Sequence, residues 1–243
     1  MKYSQYALIF NEIFKDLKER SEKNSIESLL EMRGYFSPSD EFISALSNAG
    51  FLWVENVGGR FRNVPPEFGL YSEKGRWLLE DRFIFPLKDI LGNVVALCGW
   101  YPDDRKYITT PSAYFSKQAM FYGMELLGEK VRSNYCVLVE GIFDTIALRS
   151  LGLPVMGMYG VKSSEEKKTM LGQFMKVIGI PDNDKVGKRV LRNNEWGLSR
   201  GSSYLYWEED VKDCDELVAN YDNEELKGLL FESFGRKERF IKL

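Results

Sequence analysis

Apolar positions divide the chain into a helical opening, a strand-rich middle and a regularly alternating second half. From residue 3 to 22, Tyr6, Ile9, Phe10, Ile13, Phe14 and Leu17 recur at helical spacing opposite a charged face, which predicts an amphipathic docking helix. A second short helix is expected over 25–32, with Ser25 as N-cap and Gly34 as its stop. A third opens at Ser37-Pro-Ser-Asp-Glu, runs through Phe42, Ile43 and Leu46, and ends at Gly50. Phe51 to Val54 and Phe61 to Val64, parted by Gly58-Gly59, read as a hairpin, broken off by Pro65-Pro66. Arg82 to Lys88 and Val94 to Trp100 flank Asp89-Ile-Leu-Gly-Asn, a turn where positive φ is cheap, and Lys106 to Pro111 reads as a further short strand.

The second half is organised around Tyr135-Cys-Val-Leu-Val-Glu-Gly-Ile-Phe-Asp-Thr. Its apolar run without polar alternation is the signature of a strand buried on both faces of a parallel sheet. Helix 143–151, strand 155–159, helix 164–175, strand 177–180, helix 186–195, strand 203–207 and helix 215–220 follow. This alternation implies right-handed βαβ units. The expected division is an α+β N-terminal subdomain over 1–132, an α/β domain with a helix-flanked parallel sheet over 133–222, and a helical tail over 223–243.

Composition narrows the chemistry. The chain has 243 residues, no histidine and three cysteines, Cys98, Cys136 and Cys214. Imidazole-based zinc sites and Ser-His-Asp or Cys-His catalysis are therefore excluded, and three widely spaced cysteines form neither a disulfide framework nor a zinc knuckle. No apolar run approaches a membrane span and no leader opens the chain, so the expectation is a cytoplasmic protein, in the host cytoplasm if a phage encodes it. The net charge of -3 is uneven: residues 208–225 hold nine acidic residues and one lysine, whereas 162–200 hold nine basic and five acidic residues. The overall acidic balance argues against tight, sequence-independent DNA binding.

Three expected strand ends carry carboxylates: Glu140; Asp182 and Asp184 in Pro-Asp-Asn-Asp-Lys-Val-Gly187; and Asp213 and Asp215. In a parallel sheet these ends share one edge, where ligands bind. Carboxylates crowded there need a cation to stay ionised together, and all-oxygen ligands suit Mg²⁺ or Mn²⁺, two or more ions being expected. Glu208 to Asp210 read as a solvated loop. Lys185, Lys188, Arg189 and Arg192 form one stripe on the following helix, whose free amino-end N–H groups are expected to suit phosphate. Trp53, Phe61, Trp77 and Trp100, in strand-like runs, are expected in the core rather than stacked on bases.

The segments Glu140-Gly-Ile-Phe-Asp144, Asp182-Asn-Asp184-Lys-Val-Gly187 and Asp213-Cys-Asp215-Glu-Leu resemble the three acidic motifs of TOPRIM domains. Asp81-Arg-Phe-Ile-Phe-Pro-Leu-Lys-Asp, Lys106-Tyr-Ile-Thr-Thr-Pro and the stretch from Phe115-Ser-Lys117 to Leu126 resemble, in order and spacing, the RNA polymerase core of DnaG-type bacterial and phage primases. The resemblance implies DNA-templated synthesis of short RNA primers from ribonucleoside triphosphates. It places Glu140, Asp182 and Asp184 in catalysis and all five carboxylates on the metal ions, with Asp144 structural. It assigns Arg82, Lys106 and Lys117 to nucleotide or nucleic acid, and Lys185 joins them on spacing. A TOPRIM nuclease and a non-catalytic replisome component are the alternatives. The family's N-terminal zinc ribbon and C-terminal helicase-binding domain have no counterpart in these residues. The expectation is therefore a minimal primase working with a single-stranded DNA template and a separate zinc-ribbon protein, replicative helicase or both.

Overall fold

The computed structural model describes the chain except residues 1, 22–24, 36–37, 55–56, 103–105, 113, 128–134, 161–162, 200, 208–210, 236–239 and 242–243. Two compact units emerge, one of Met1–Phe36 with Leu46–Ser116, the other of Ser37–Ala45 with Lys117–Leu243.

In the first unit, α1 (Tyr3–Arg20) buries Tyr6, Phe10, Ile13 and Leu17, the predicted face, and packs on the sheet strand Val94–Trp100. The sheet is antiparallel in the order β1 (Leu52–Trp53), β2 (Phe83–Lys88), β3 (Val94–Trp100), β4 (Tyr107–Thr109). β1 reaches only to Ile84, so Pro86, which has no N–H to donate, lies beyond it and is tolerated in β2. Asp89 shapes the tight turn between β2 and β3 by accepting the N–H groups of Leu91 (2.8 Å) and Asn93 (2.9 Å). Phe61, Trp77 and Trp100 are buried, as expected of core aromatics.

Two expectations fail here. Leu52–Trp53 pairs with Phe83–Ile84 and not with residues 61–64, which form successive turns. Phe61 instead points into the core beside Trp77, ring centroids 5.8 Å apart, because its apolar surface is better covered there than on a two-stranded ribbon. Ser25 is the first residue of α2 (Ser25–Arg33) rather than its cap, and its hydroxyl accepts the Trp53 N–H at 3.1 Å, tying helix to strand.

The second unit is an α/β layer. Its sheet is fully parallel, in the order β6 (Val155–Gly157), β5 (Tyr135–Val139), β7 (Lys176–Ile180), β8 (Ser203–Tyr204). β5 is central, and Cys136 to Val139 are each fully buried, which explains the unbroken apolar run. The connecting helices are α4 (Ile142–Ser150), α5 (Glu165–Leu171) and α6 (Lys185–Asn193), followed by α7 (Cys214–Asn220) and α8 (Asn223–Gly235). α5 stops at Leu171, short of the predicted 175, where Gly172 closes its last turn. The strand expected over 203–207 changes partner midway: β8 pairs with β7, whereas β9 (Tyr206–Trp207) pairs in parallel with β10 (Phe240–Ile241). α3 (Asp40–Asn48), whose first residues belong to this unit, is capped by the Ser39 hydroxyl. The fold is thus α/β, with a helix-flanked parallel sheet preceded by an α+β portion. Among the described residues no helix is long and apolar enough to cross a membrane, and all three cysteines are buried and form no disulfide.

One buried cation stands out. Lys167 on α5 is fully buried, donates to the carbonyl of Met158 and lies 5.1 Å from the centroid of the Phe121 ring. Burial lowers its pKa to about 8, against 10.5 for an ordinary lysine. A base depressed in the native state costs stability while the unfolded chain holds the proton, and that cost fades as pH rises from about 8 to 10.5. Wild type is therefore expected to gain about 2 to 3 kcal/mol on Lys167→Met between pH 7 and 10.5 in paired denaturant titrations; parallel curves for the two proteins would contradict this.

Candidate metal centre

The carboxyl edge of the parallel sheet gathers the three acidic segments. Glu140 follows β5, Pro181-Asp182 follows β7, and the start of α7 supplies Asp213, its N-cap, and Asp215, in its first turn. The second and third segments are joined through backbone: Asn183 N–H donates to Lys212 O at 2.6 Å, and its side-chain amide donates to Val211 O at 3.3 Å. The first and third are joined through Asp144. Its Oδ2 accepts the Gly141 N–H at 3.0 Å, closing the first turn of α4, and its Oδ1 accepts the N–H groups of Cys214 (2.9 Å) and Asp215 (3.3 Å) at the start of α7. One side chain thus caps two helices.

Close packing here demands glycine. A Cβ on Gly157 would stand 2.6 Å from Thr145 Oγ1 and 2.8 Å from Gly141 O. A Cβ on Gly187 would fall 1.8 Å from Asp182 O. The third residue of α6 must therefore lack a side chain for Asp182 to reach the rim. This is the physical content of the spacing Asp-x-Asp-x-x-Gly.

Asp144, Asp213 and Asp215 form the tightest group, each offering an oxygen within 4.8 Å of the others. Asp144 and Asp215 are buried. Glu140, Asp182 and Asp184 adjoin them electrostatically. Burial raises the Glu140 pKa to about 7, with repulsion from Asp184 adding to the rise and the Asp182 backbone N–H opposing it. Burial likewise raises Asp182, reinforced by Asp144, Glu140 and Asp213. Asp144 is raised by burial and by Asp213, against the pull of its three N–H donors. Glu140 Oε1 is buried and has no hydrogen-bond partner among the described residues. The Lys212 ammonium stands 3.7 Å from Asp182 and 3.6 Å from Asp213; burial pulls its pKa down, and these carboxylates carry it above the ordinary lysine range.

An oxygen-only donor set, mutual repulsion among carboxylates and an unpartnered buried oxygen together fit a divalent cation. Sequence reasoning placed Asp144 outside the ligand set, whereas its carboxylate lies within the tightest group. It also passed over Lys212, the one lysine of the acidic stretch, which signalled itself by position. Asp184 is divided in its duties: Oδ1 caps α6 by accepting the N–H groups of Val186 (2.7 Å) and Gly187 (2.9 Å). The expectation of free amino-end N–H groups for phosphate is therefore overturned.

Of the basic candidates, Lys117 and Lys185 are exposed in the second unit. Arg82 and Lys106 belong to the first. The Arg82 guanidinium lies 5.0 Å from the centroid of the Tyr101 ring, with Nη1 buried and without a hydrogen-bond partner among the described residues. Glu208 to Asp210 lie outside the described residues.

With this geometry in view, comparison with known proteins is informative. Residues 137–218 match the Toprim-like family, so the second unit carries a Toprim-like domain. The chain is 28% identical to a DNA primase of Thermotoga maritima over 94% of its own length and 43% of the relative's, and 30% identical to that of Borreliella burgdorferi over 70% and 33%. In structure it is similar to the RNA polymerase domain of Mycobacterium tuberculosis primase DnaG (TM-score 0.77, 16% identity, 95% of this chain and 84% of that one). It is also similar to the Aquifex aeolicus primase with zinc-binding and RNA polymerase domains (TM-score 0.75, 20% identity, 96% and 62%). The chain is thus similar to DNA primases along most of its length, and it spans less than half the length of these two curated relatives.

The raised carboxyls make a stability prediction. A carboxyl with a raised native pKa contributes stability that is fully present below its unfolded pKa, near 4, and is lost as pH climbs through the native value, about 7 for Glu140. In EDTA, Tm should fall between pH 5.5 and 8.5, less steeply for Glu140→Gln. Mn²⁺ should raise Tm more at pH 8.5 than at 5.5. An equal Mn²⁺ shift at both pH values would count against the site.

Proposed function

We propose that this chain is the polymerising core of a primase, joining ribonucleoside triphosphates on a single-stranded DNA template with Mg²⁺ or Mn²⁺, in the cytoplasm. The observation that carries the proposal is the meeting of three acidic segments at one sheet edge, in a chain related to DNA primases along 94% of its length. Glu140, Asp182, Asp184, Asp213 and Asp215 would hold the ions, with Asp144 fastening the segments that bear them. Bound there, divalent cations neutralise the triphosphate and stabilise the attacking and leaving oxygens. Glu140 Oε1, the buried oxygen without a donor, is the acceptor for the proton of the attacking hydroxyl. Lys117, Lys185, Arg82 and Lys106 are assigned to phosphates, as cations able to meet a triphosphate or a nucleic-acid strand. Start-site choice and recruitment fall to a zinc-ribbon protein, a replicative helicase or both.

The template path is assigned to the outer face of α6. Lys185, Lys188 and Arg192 are exposed at i, i+3 and i+7 and have no ionic partner among the described residues, whereas Arg189 is turned aside by Glu195 at 2.8 Å. The stripe spans about 10 Å of helix. Because Asp184 caps the amino end, phosphate contacts here rest on side chains and should be strongly salt-dependent.

Two measurements test this reading. Incubated with single-stranded template, labelled ribonucleotides and Mg²⁺, the wild-type chain should yield extended RNA, and Glu140→Gln should lower the rate at least a hundredfold. Shortened DNA would instead identify a nuclease. In salt titrations of template binding, Lys188→Ala combined with Arg192→Ala should reduce the slope of log K against log salt by about 1.4, near 0.7 per phosphate contact. An unchanged slope would remove α6 from the path.

A further inference from the structure

The turn that follows β6 is bonded on three sides. Met158 N–H donates to Val139 O at 2.7 Å, and Tyr159 N–H donates to Glu140 O at 3.1 Å. The turn is thereby fastened to the strand end that bears Glu140. From α5, the fully buried Lys167 donates to Met158 O. On the outer side, the Tyr159 ring lies 4.9 Å from Lys117 Nζ.

Two features separate this arrangement from an ordinary surface turn. Tyr159 adopts φ 51°, a left-handed conformation that tyrosine rarely takes, although Gly160 follows immediately. Such a conformation persists only where surrounding bonds hold it. An ammonium buried without a carboxylate partner among the described residues is also costly, and here its hydrogen bond goes to this turn. Released from the left-handed conformation, the ring would leave Lys117. That lysine would then be a long, freely rotating surface side chain.

We infer that Tyr159 is a positioning residue for the reaction proposed above: its turn, pinned by Lys167, holds the Lys117 ammonium beside the strand end that presents Glu140. The ring face restricts the lysine before a nucleotide arrives, and so reduces the rotamer freedom lost when the ammonium meets a phosphate. The inference rests on the nucleotide-polymerising reading and assigns a role within it to a residue that touches no reacting atom.

The test uses the full chain, ATP with Mn²⁺ as the probe, and the variants Tyr159→Leu, Tyr159→Phe, Lys117→Ala and the double variant Tyr159→Leu/Lys117→Ala. Calorimetric titration should show ATP affinity weakened about two- to fivefold in Tyr159→Leu and restored in Tyr159→Phe. No further loss is expected when Tyr159→Leu is added to Lys117→Ala. Independently of ligand, NMR should find the Lys117 side-chain methylene protons shifted upfield by the ring in wild type and Tyr159→Phe, and unshifted in Tyr159→Leu. Unchanged ATP affinity in Tyr159→Leu, an undiminished loss in the Lys117→Ala background, or unshifted Lys117 protons in wild type would each overturn the inference and leave the reaction assignment standing. A wild-type chain that binds no ATP would overturn both, and the ring-current measurement would then show whether the Tyr159–Lys117 pair forms at all.

Discussion

The acidic rim depends on one buried carboxylate. Asp144 accepts a backbone N–H from its own helix and two from the start of α7, joining segments seventy residues apart in the chain. Hydrogen bonds from buried N–H groups to a charged acceptor are among the stronger polar interactions, and removing that acceptor would leave three donors unsatisfied in the interior. Together with the Asn183 bonds to Lys212 and Val211, this link brings Asp213 and Asp215 to the edge where Glu140 follows β5. The link also explains why a residue that stabilises structure sits at ligand distance from two others: to tie the loops together it must lie where they meet.

The remainder of the rim is held against its own repulsion. Burial and neighbouring charge lift Glu140 and Asp182, and Lys212 balances part of the excess. Apolar residues at Glu140 and Asp182 would relieve that repulsion, since buried charge gains little from its surroundings unless fully paired. Groups kept in so unfavourable a setting are the mark of a site under functional demand. The backbone bears the same mark at Tyr159, in a conformation that local preference alone would not select.

Much of this was legible in the residues. The run from Tyr135 to Val139, ending abruptly at Glu140, announced a strand buried on both faces, and the alternation beyond it announced parallel order, because period and run length follow directly from burial. The meeting of the acidic segments followed from that order. What escaped was decided by long-range competition. Leu52 and Trp53 had two possible partner strands, and only the three-dimensional position of Phe83 and Ile84 settles which one wins. Ser25 carries the chemistry of a cap, yet a strand N–H 28 residues away takes its hydroxyl. The strand near residue 205 changes partner because of β10, which no local pattern foretells. Asp184 looked like a ligand, and that it also closes α6 depends on a loop conformation invisible in composition.

Gly187 offers a different lesson. With the Asp182 carbonyl 1.8 Å from where a first side-chain carbon would stand, that helical position has no permitted alternative among the other amino acids. The outer side chains of α6 can be exchanged without disturbing the rim, at a cost only to what that face binds, while this single point stays closed to drift. Mutational libraries built on the scaffold should therefore leave it untouched, for variation there removes the rim itself before it can alter what the rim prefers.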